Sequence, residues 1–207
     1  MGIEQSADLT VVCGLMLSGK TTVARYLRDK LGYHLLDIDD LRNVCFGMPP
    51  KEQTEASHQL HMRQFGSSYR VLHLAIEEQI AVIRSPLVVT ASLSSYEKGQ
   101  VPLMQIAERV HARLRVIWVR GNPDTLSDDQ LEGFIKERAA SQKDYAGTMG
   151  TIHGVGFLRE RYKKFDPIRV PGSLELVTWP ARTKEETCEA ALRYCDDPAT
   201  GYLPDAH

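Results

Sequence analysis

Apolar and polar positions follow two different rhythms along the chain. Five short runs rich in β-branched residues are continuously apolar rather than alternating: LTVVC (9 to 13), HLLDI (34 to 38), PLVVTA (86 to 91), LRVIWV (114 to 119) and LELVTW (174 to 179). That pattern predicts strands buried on both faces, as in a parallel sheet. Between the runs, apolar residues recur every three or four positions, which is the helical period. Val23, Leu27 and Leu31 mark a helix from Lys20 to about Leu31, closed by Gly32 as a left-handed cap. Leu60, Phe65, Tyr69, Leu72, Ile76, Ile80 and Ile83 predict one long helix or two joined helices over 52 to 83, with Phe65 and Tyr69 in the core stripe. A turn is expected from Phe46 to Lys51, a further helix over 98 to 113, and a mobile, glycine-bearing connection over 139 to 156. Ser127 with Gln130, and Thr183 with Glu186, have the capping-box spacing that opens two more helices.

Strands alternating with helices predict an α/β fold, a five-stranded parallel sheet flanked by helices on both faces. Every gap between runs is long enough for the crossover that parallel strands require. The 207 residues fit one domain, expected over 1 to 195, with a flexible tail from 196 to 207. Hydrophobic residues at 43% and charged residues at 25% exclude disordered and fibrous classes. With 25 Lys and Arg against 27 Asp and Glu, the net charge of −2 gives no global pull toward nucleic acid or anionic membrane. Nucleic acid is therefore a possible but unfavoured partner. No apolar run approaches the roughly 20 residues that cross a bilayer, and the N-terminus lacks signal-peptide features, so a cytoplasmic location without membrane contact is expected. Cys13, Cys45, Cys188 and Cys195 form no C-x-x-C pair and read as reduced packing thiols.

The candidate chemistry begins after the first strand. Gly14 to Thr21, GLMLSGKT, satisfies G-x-x-x-x-G-K-[ST] between a strand and a helix. Glycines let backbone N–H groups approach phosphate oxygens, and the helix that follows adds the positive end of its dipole. Lys20 places a charge on the β and γ phosphates, and the Thr21 hydroxyl is a candidate Mg²⁺ ligand. Gly14, Leu17, Ser18, Gly19, Lys20, Thr21 and Thr22 are the candidate nucleotide contacts, joined by Arg120 after the fourth strand. The [NT]-K-x-D segment that reads guanine is missing, which favours ATP.

The second strand ends in Asp39, Asp40, Leu41 and Arg42. Strand C-termini line the ligand crevice of such a sheet, where a carboxylate can accept a hydroxyl proton and an arginine can hold an anion. The same aspartates could instead cap the next helix. The third strand ends in Thr90, Ala91 and Ser92 without the acidic residue common there, so metal binding leans on Thr21, the nucleotide, and Asp37 or Asp39.

The phosphate loop, helix and D-D-L-R resemble the small P-loop kinases that include polynucleotide 5′-kinases and the chloramphenicol phosphotransferase and zeta-toxin group. The resemblance covers about residues 8 to 145. It implies that Asp39 activates the acceptor hydroxyl, that Arg42 contacts acceptor or phosphate, and that a lid within 121 to 156 carries Arg138, with Lys143 following. Glu132 four residues before Lys136 also fits a solvated, salt-paired helix there. The segment 43 to 84 would roof the acceptor site, with Lys51, His58, His61, Arg63 and Arg70 available to a polar substrate. The expected function is transfer of the γ-phosphoryl group from Mg-ATP to a hydroxyl or phosphate of an unidentified small metabolite, nucleoside or nucleotide. A polynucleotide 5′-hydroxyl kinase and a regulatory ATPase switch are the alternatives.

Overall fold

The computed structural model describes residues 7–15, 17–47, 55–141, 149–179 and 181–204, with the side chains at 55–58, 61–62, 138–141 and 149–153 outside the description. Five strands, β1 (Asp8–Cys13), β2 (His34–Asp37), β3 (Leu87–Ala91), β4 (Arg113–Arg120) and β5 (Leu174–Val177), form one sheet in the order β2-β3-β1-β4-β5. All four pairings are parallel; Val11 is in register with Val89 on one side and Val116 on the other. β1, β3 and β4 are the buried strands that their apolar runs predict. β2 and β5 are edges and only half-buried, because each has a neighbour on one side alone.

Side chains alternate across the sheet, so two cores form. Leu9, Val11, Cys13, Leu87 and Val89 pack against Leu72, Ile76 and Ile80 and against Leu103 and Ile106 of α4 (Val101–Arg109). On the opposite face Val12, Val88, Ile117 and Val119 meet Val23 and Leu27 of α1 (Lys20–Leu31) and Ala191 and Cys195 of α7 (Lys184–Asp196). Each fully buried aliphatic chain of this kind contributes about 1.5–3 kcal/mol. α1 ends at Gly32 (φ 69°), and α7 opens with the Thr183–Glu186 capping box, both as the sequence predicts. The thiols of Cys13, Cys188 and Cys195 are buried, and burial pushes each toward the protonated form; Cys45 is exposed.

Several boundaries depart from the sequence reading. Ile38 starts α2 (Ile38–Phe46) instead of ending a strand. Of the turn expected over 46 to 51, Phe46 instead ends α2 and Gly47 is its C-cap, and the remainder lies outside the described residues. The long helix is α3 (Glu55–Glu77) followed by a π turn over Glu78–Val82. Inserting that wider turn shifts the apolar stripe, and Ile83 faces solvent, as does Leu60 at the other end. A second π turn, Tyr96–Gln100, precedes α4, which stops at Arg109 because β4 begins at Arg113. α5 (Asp128–Ser141) carries the expected box, Ser127 N–H to Gln130 at 2.9 Å and Gln130 N–H to Ser127 at 3.2 Å. Where a connection was expected over 139 to 156, α5 continues to Ser141 and α6 (Met149–Lys163), kinked at Gly154, begins; 142–148 lie outside the described residues.

The segment after α7, expected to be loose, is tied to the sheet. Tyr202 bridges Leu114 in antiparallel sense, with bonds of 2.9 and 2.7 Å, on the stretch of β4 that β5 leaves unpaired. No helix among the described residues is long and apolar enough to cross a membrane.

Candidate functional site

The sheet order places β1 in the centre, so the loop leaving its C-terminus opens onto the middle of the crevice. At Gly14 a Cβ would lie 2.1 Å from the Val119 carbonyl oxygen and 2.6 Å from Ser18 Oγ, so only glycine lets the loop leave the sheet here. Leu17 (φ 65°) and Gly19 (φ 92°) are both left-handed, which curls the chain back toward α1. For Leu17, which carries a Cβ, this conformation costs about 1–2 kcal/mol. No side chain caps the first turn of α1, and its first intrahelical bond runs from Val23 N–H to Gly19 O at 3.1 Å. The N–H groups of Lys20, Thr21 and Thr22 therefore face the crevice as donors for an anion. Ser18 Oγ is buried, and among the described residues it has no hydrogen-bond partner. Gly14, Leu17, Ser18 and Gly19 lie in this loop and Lys20, Thr21 and Thr22 in the first turn of α1; Met16 lies outside the described residues.

The carboxylates stand at the end of β2, two strands from β1 in the sheet. Asp37 closes β2 and is the N-cap of α2, accepting the Asp39 N–H at 2.9 Å through one oxygen; the Thr21 hydroxyl donates to the other at 3.5 Å. The cap is thus Asp37, and Asp39 and Asp40 fall in the first turn of α2. Asp39 Oδ1 is paired to Arg42 Nη1 at 3.1 Å, with Arg42 buried and Asp39 more than a third exposed. Asp40 turns the other way, into a cavity of about 640 Å³ along the free edge of β2 with Arg25, Arg28 and His34. Burial, then Asp37, raises the Asp40 carboxyl above its ordinary value, opposed by Arg25. This cavity shares Asp37 with the crevice but is otherwise separate from the phosphate loop.

Asp37 is the register partner of Thr90. The carboxylate that β3 lacks at its end is therefore present on the adjoining strand. Thr90 Oγ1 is buried without a partner among the described residues, while Ser92 N–H donates to the Tyr69 hydroxyl at 3.0 Å and the two hydroxyls lie 2.8 Å apart. Tyr69 fills the core as the periodicity predicts and also fixes the end of β3; burial pushes its hydroxyl pKa up. Among the described residues no cluster of three or more metal-ligating side chains exists. Mg²⁺ is commonly held by one or two protein oxygens, with water and phosphate in the remaining positions. Thr21 and Asp37 supply such a pair of hard oxygens.

On the other side of the loop, Arg120 is paired with Glu175 at 2.5 Å and lies over the Trp118 ring. The side chain of Arg138 and all of Lys51 and Lys143 lie outside the described residues, as do the side chains of His58 and His61; Arg63 and Arg70 are exposed. Glu132 and Lys136 pair at 3.1 Å on an exposed face, as the helical spacing predicts, and such a pair contributes little. Three contributors escaped the sequence reading. Thr178 and Trp179 reach the loop from behind, Trp179 donating its indole N–H to Leu17 O at 3.0 Å. Arg159 holds α6 against the turn before α5, bonding to Pro123 O, to Leu126 O at 2.8 Å and to Asp128 at 2.8 Å. The position of Trp179 just past a strand C-terminus was the available signal, obscured by assigning it to the strand.

A family model described as AAA domain matches residues 9–146. A shikimate kinase of Moorella thermoacetica is 27% identical over 115 residues, 56% of this chain and 59% of the relative, so the match spans little more than half of that protein. Among solved structures, a Chloroflexus aurantiacus protein provisionally assigned as a kinase superposes with a TM-score of 0.67 at 13% identity, covering 91% of this chain and 98% of the other. Mycobacterium tuberculosis APS kinase in complex with AMPPNP and APS gives 0.52 at 15% identity, covering 93% and 99%. The fold is that of the P-loop kinases.

Proposed function

The chain belongs to the AAA domain family, and from that premise we propose that it is an ATP-dependent kinase that phosphorylates a hydroxyl or phosphate of a small metabolite, nucleoside or nucleotide. The observation that carries this reading is the continuous set of contacts running from the phosphate loop to an acidic helix start: Thr21 to Asp37, Asp37 to the Asp39 N–H, and Asp39 to Arg42. A simple nucleotide switch needs the loop but has no use for a carboxylate held beside it on an arginine. The likeness to a shikimate kinase, and to an APS kinase solved with AMPPNP, supports ATP and a small acceptor.

In this mechanism the loop amides, the α1 N-terminus and Lys20 hold the phosphates, and the work is positioning and charge stabilisation. Thr21 and Asp37 would hold Mg²⁺, which when bound neutralises charge on the β and γ phosphates. Asp39 accepts the proton of the acceptor hydroxyl, and Arg42, buried beneath it, fixes its direction. Arg120 borders the nucleotide, and α5, as the lid expected to carry Arg138, would exclude water from the phosphates. The near-neutral charge continues to disfavour a polynucleotide acceptor.

The test is γ-labelled ATP incubated with panels of metabolites and oligonucleotides, using wild type and Asp39→Asn. Loss of a general base predicts a fall in phosphotransfer of about 10²–10⁴-fold, with ATP binding retained. Label that passes only to water, or an Asp39→Asn variant as active as wild type, would refute the kinase reading.

A further inference from the structure

Two consecutive residues after β5 grip the phosphate loop from the side away from the crevice. We propose that Thr178 and Trp179 are positioning residues for the nucleotide phosphates, holding the Ser18 and Leu17 carbonyls outward and thereby aiming the loop amides inward. This rests on the reading that the loop holds a triphosphate tail.

A trans peptide is planar, with its C=O and N–H pointing in opposite directions. The Trp179 indole N–H donates to the Leu17 carbonyl at 3.0 Å, which turns the Ser18 N–H toward the inside of the loop, where it donates to Leu15 O at 3.3 Å and closes the turn. The Thr178 hydroxyl lies 3.2 Å from Ser18 O and equally 3.2 Å from Arg120 O. Arg120 O also receives the Thr178 backbone N–H at 2.8 Å, and the hydroxyl proton is shared between the Ser18 and Arg120 carbonyls. The Ser18 carbonyl is thereby turned outward, and the Gly19 N–H points into the cup. The left-handed Leu17 is a conformation that a residue with a Cβ keeps only when its surroundings fix it. The indole bond to its own carbonyl supplies that restraint.

Trp179 is itself held on several sides. Its ring lies so close to Gly121 that a Cβ there would fall 2.0 Å from ring carbons. Phe134 of α5 stacks on it at 5.8 Å between centroids, and Tyr162 of α6 meets it edge-on at 6.0 Å. The Asn122 N–H fixes its carbonyl at 3.0 Å. The indole therefore joins the helices expected to form the lid to the amides expected to hold phosphate.

The experiment compares Trp179→Phe, which keeps an aromatic ring on Gly121 but removes the donor, with Thr178→Val, which keeps shape but removes the hydroxyl, and Thr178→Ser, which retains it. Calorimetric titrations use ATP and inorganic tripolyphosphate, with adenosine measured by competition. Loss of one aligned hydrogen bond predicts about tenfold weaker binding of both ATP and tripolyphosphate in Trp179→Phe and Thr178→Val. Adenosine affinity should be unchanged, and Thr178→Ser should match wild type. Unfolding midpoints without ligand identify any variant that does not fold, in which case the other decides. Unchanged ATP and tripolyphosphate binding in the folded variants would overturn the proposal. So would a loss shared equally by adenosine, since the ring would then be serving the base. A wild type that binds neither ATP nor tripolyphosphate would bring down the nucleotide reading itself, and this inference with it.

Discussion

In the C-terminal half of α3, His73 presents a buried Nε2 that no hydrogen-bonding group among the described residues meets, with the Tyr69 ring edge-on at 6.2 Å between centroids. Burial, with a contribution from Arg109 and against the pull of Glu77, holds its imidazole below the ordinary value of 6.5. The folded chain therefore takes up this proton later than the unfolded chain as pH falls. The stability that goes with the neutral ring is complete above the unfolded value and is lost as pH drops through the folded one. Thermal midpoints should decline below about pH 6.5, and the decline should be shallower in His73→Phe, which cannot be protonated; parallel profiles would show that the acid sensitivity lies elsewhere. Residue identity was legible at this scale, but orientation was not. Adjacent Asp39 and Asp40 are equivalent on paper, yet about 100° of helical rotation sends one to Arg42 and the other into the groove beside Arg25. The Tyr69 hydroxyl was hidden in the same way, since a core stripe says where a ring packs and nothing about what its oxygen bonds.

The two helix starts marked by a capping box, at Ser127 and Thr183, agree with the sequence spacing, because both partners of such a box lie within four residues of one another. The Ser127 box should bear this out energetically: Ser127→Ala removes the acceptor for the Gln130 N–H and should cost about 1 kcal/mol, seen as a lower denaturation midpoint and faster amide exchange in the first turn of α5. No change in either would mean that packing alone holds the turn. Elements sustained by distant contacts were not legible. α6 contains Gly154 in a non-helical conformation (φ 68°) and is secured by Arg159 reaching carbonyls more than thirty residues away, so no window of its own sequence announces it. The π turn after α3 likewise follows from packing Ile80 into the core rather than from any local preference, and it rotates Ile83 out of a stripe that sequence spacing had assigned inward. The phosphate loop lies at the other extreme. Its chemistry is almost entirely backbone, and glycine spacing records backbone geometry directly.

The sheet separates two tasks between its two ends. The C-terminal ends of the strands carry the phosphate loop, Asp37 and Arg120, whereas the N-terminal ends carry a buried arginine that the chain satisfies with its own last segment. Arg115 is 2% exposed; its Nη1 pairs with Asp8 at 2.8 Å, Nε reaches Thr200 Oγ1 at 3.3 Å and Nη2 reaches Asp197 O at 3.5 Å. Gly201 makes the close approach possible, since a Cβ there would fall 2.8 Å from Arg115 Cγ and 3.0 Å from Leu114 O. A chain ended after Asp196 would strip this guanidinium of two partners and reopen the edge of β4 that Tyr202 covers. A buried charge deprived of hydrogen bonds loses about 1.5–3 kcal/mol for each, so the shortened chain should unfold at least about 3 kcal/mol more easily in urea. Because the lost contacts lie across the sheet from the crevice, the folded fraction should bind ATP with unchanged affinity, as expected of distant sites that share no partners. A shortened chain as stable as the full one would show that Asp8 alone satisfies Arg115. A loss of ATP affinity in its folded fraction would instead show that the two ends of the sheet are coupled.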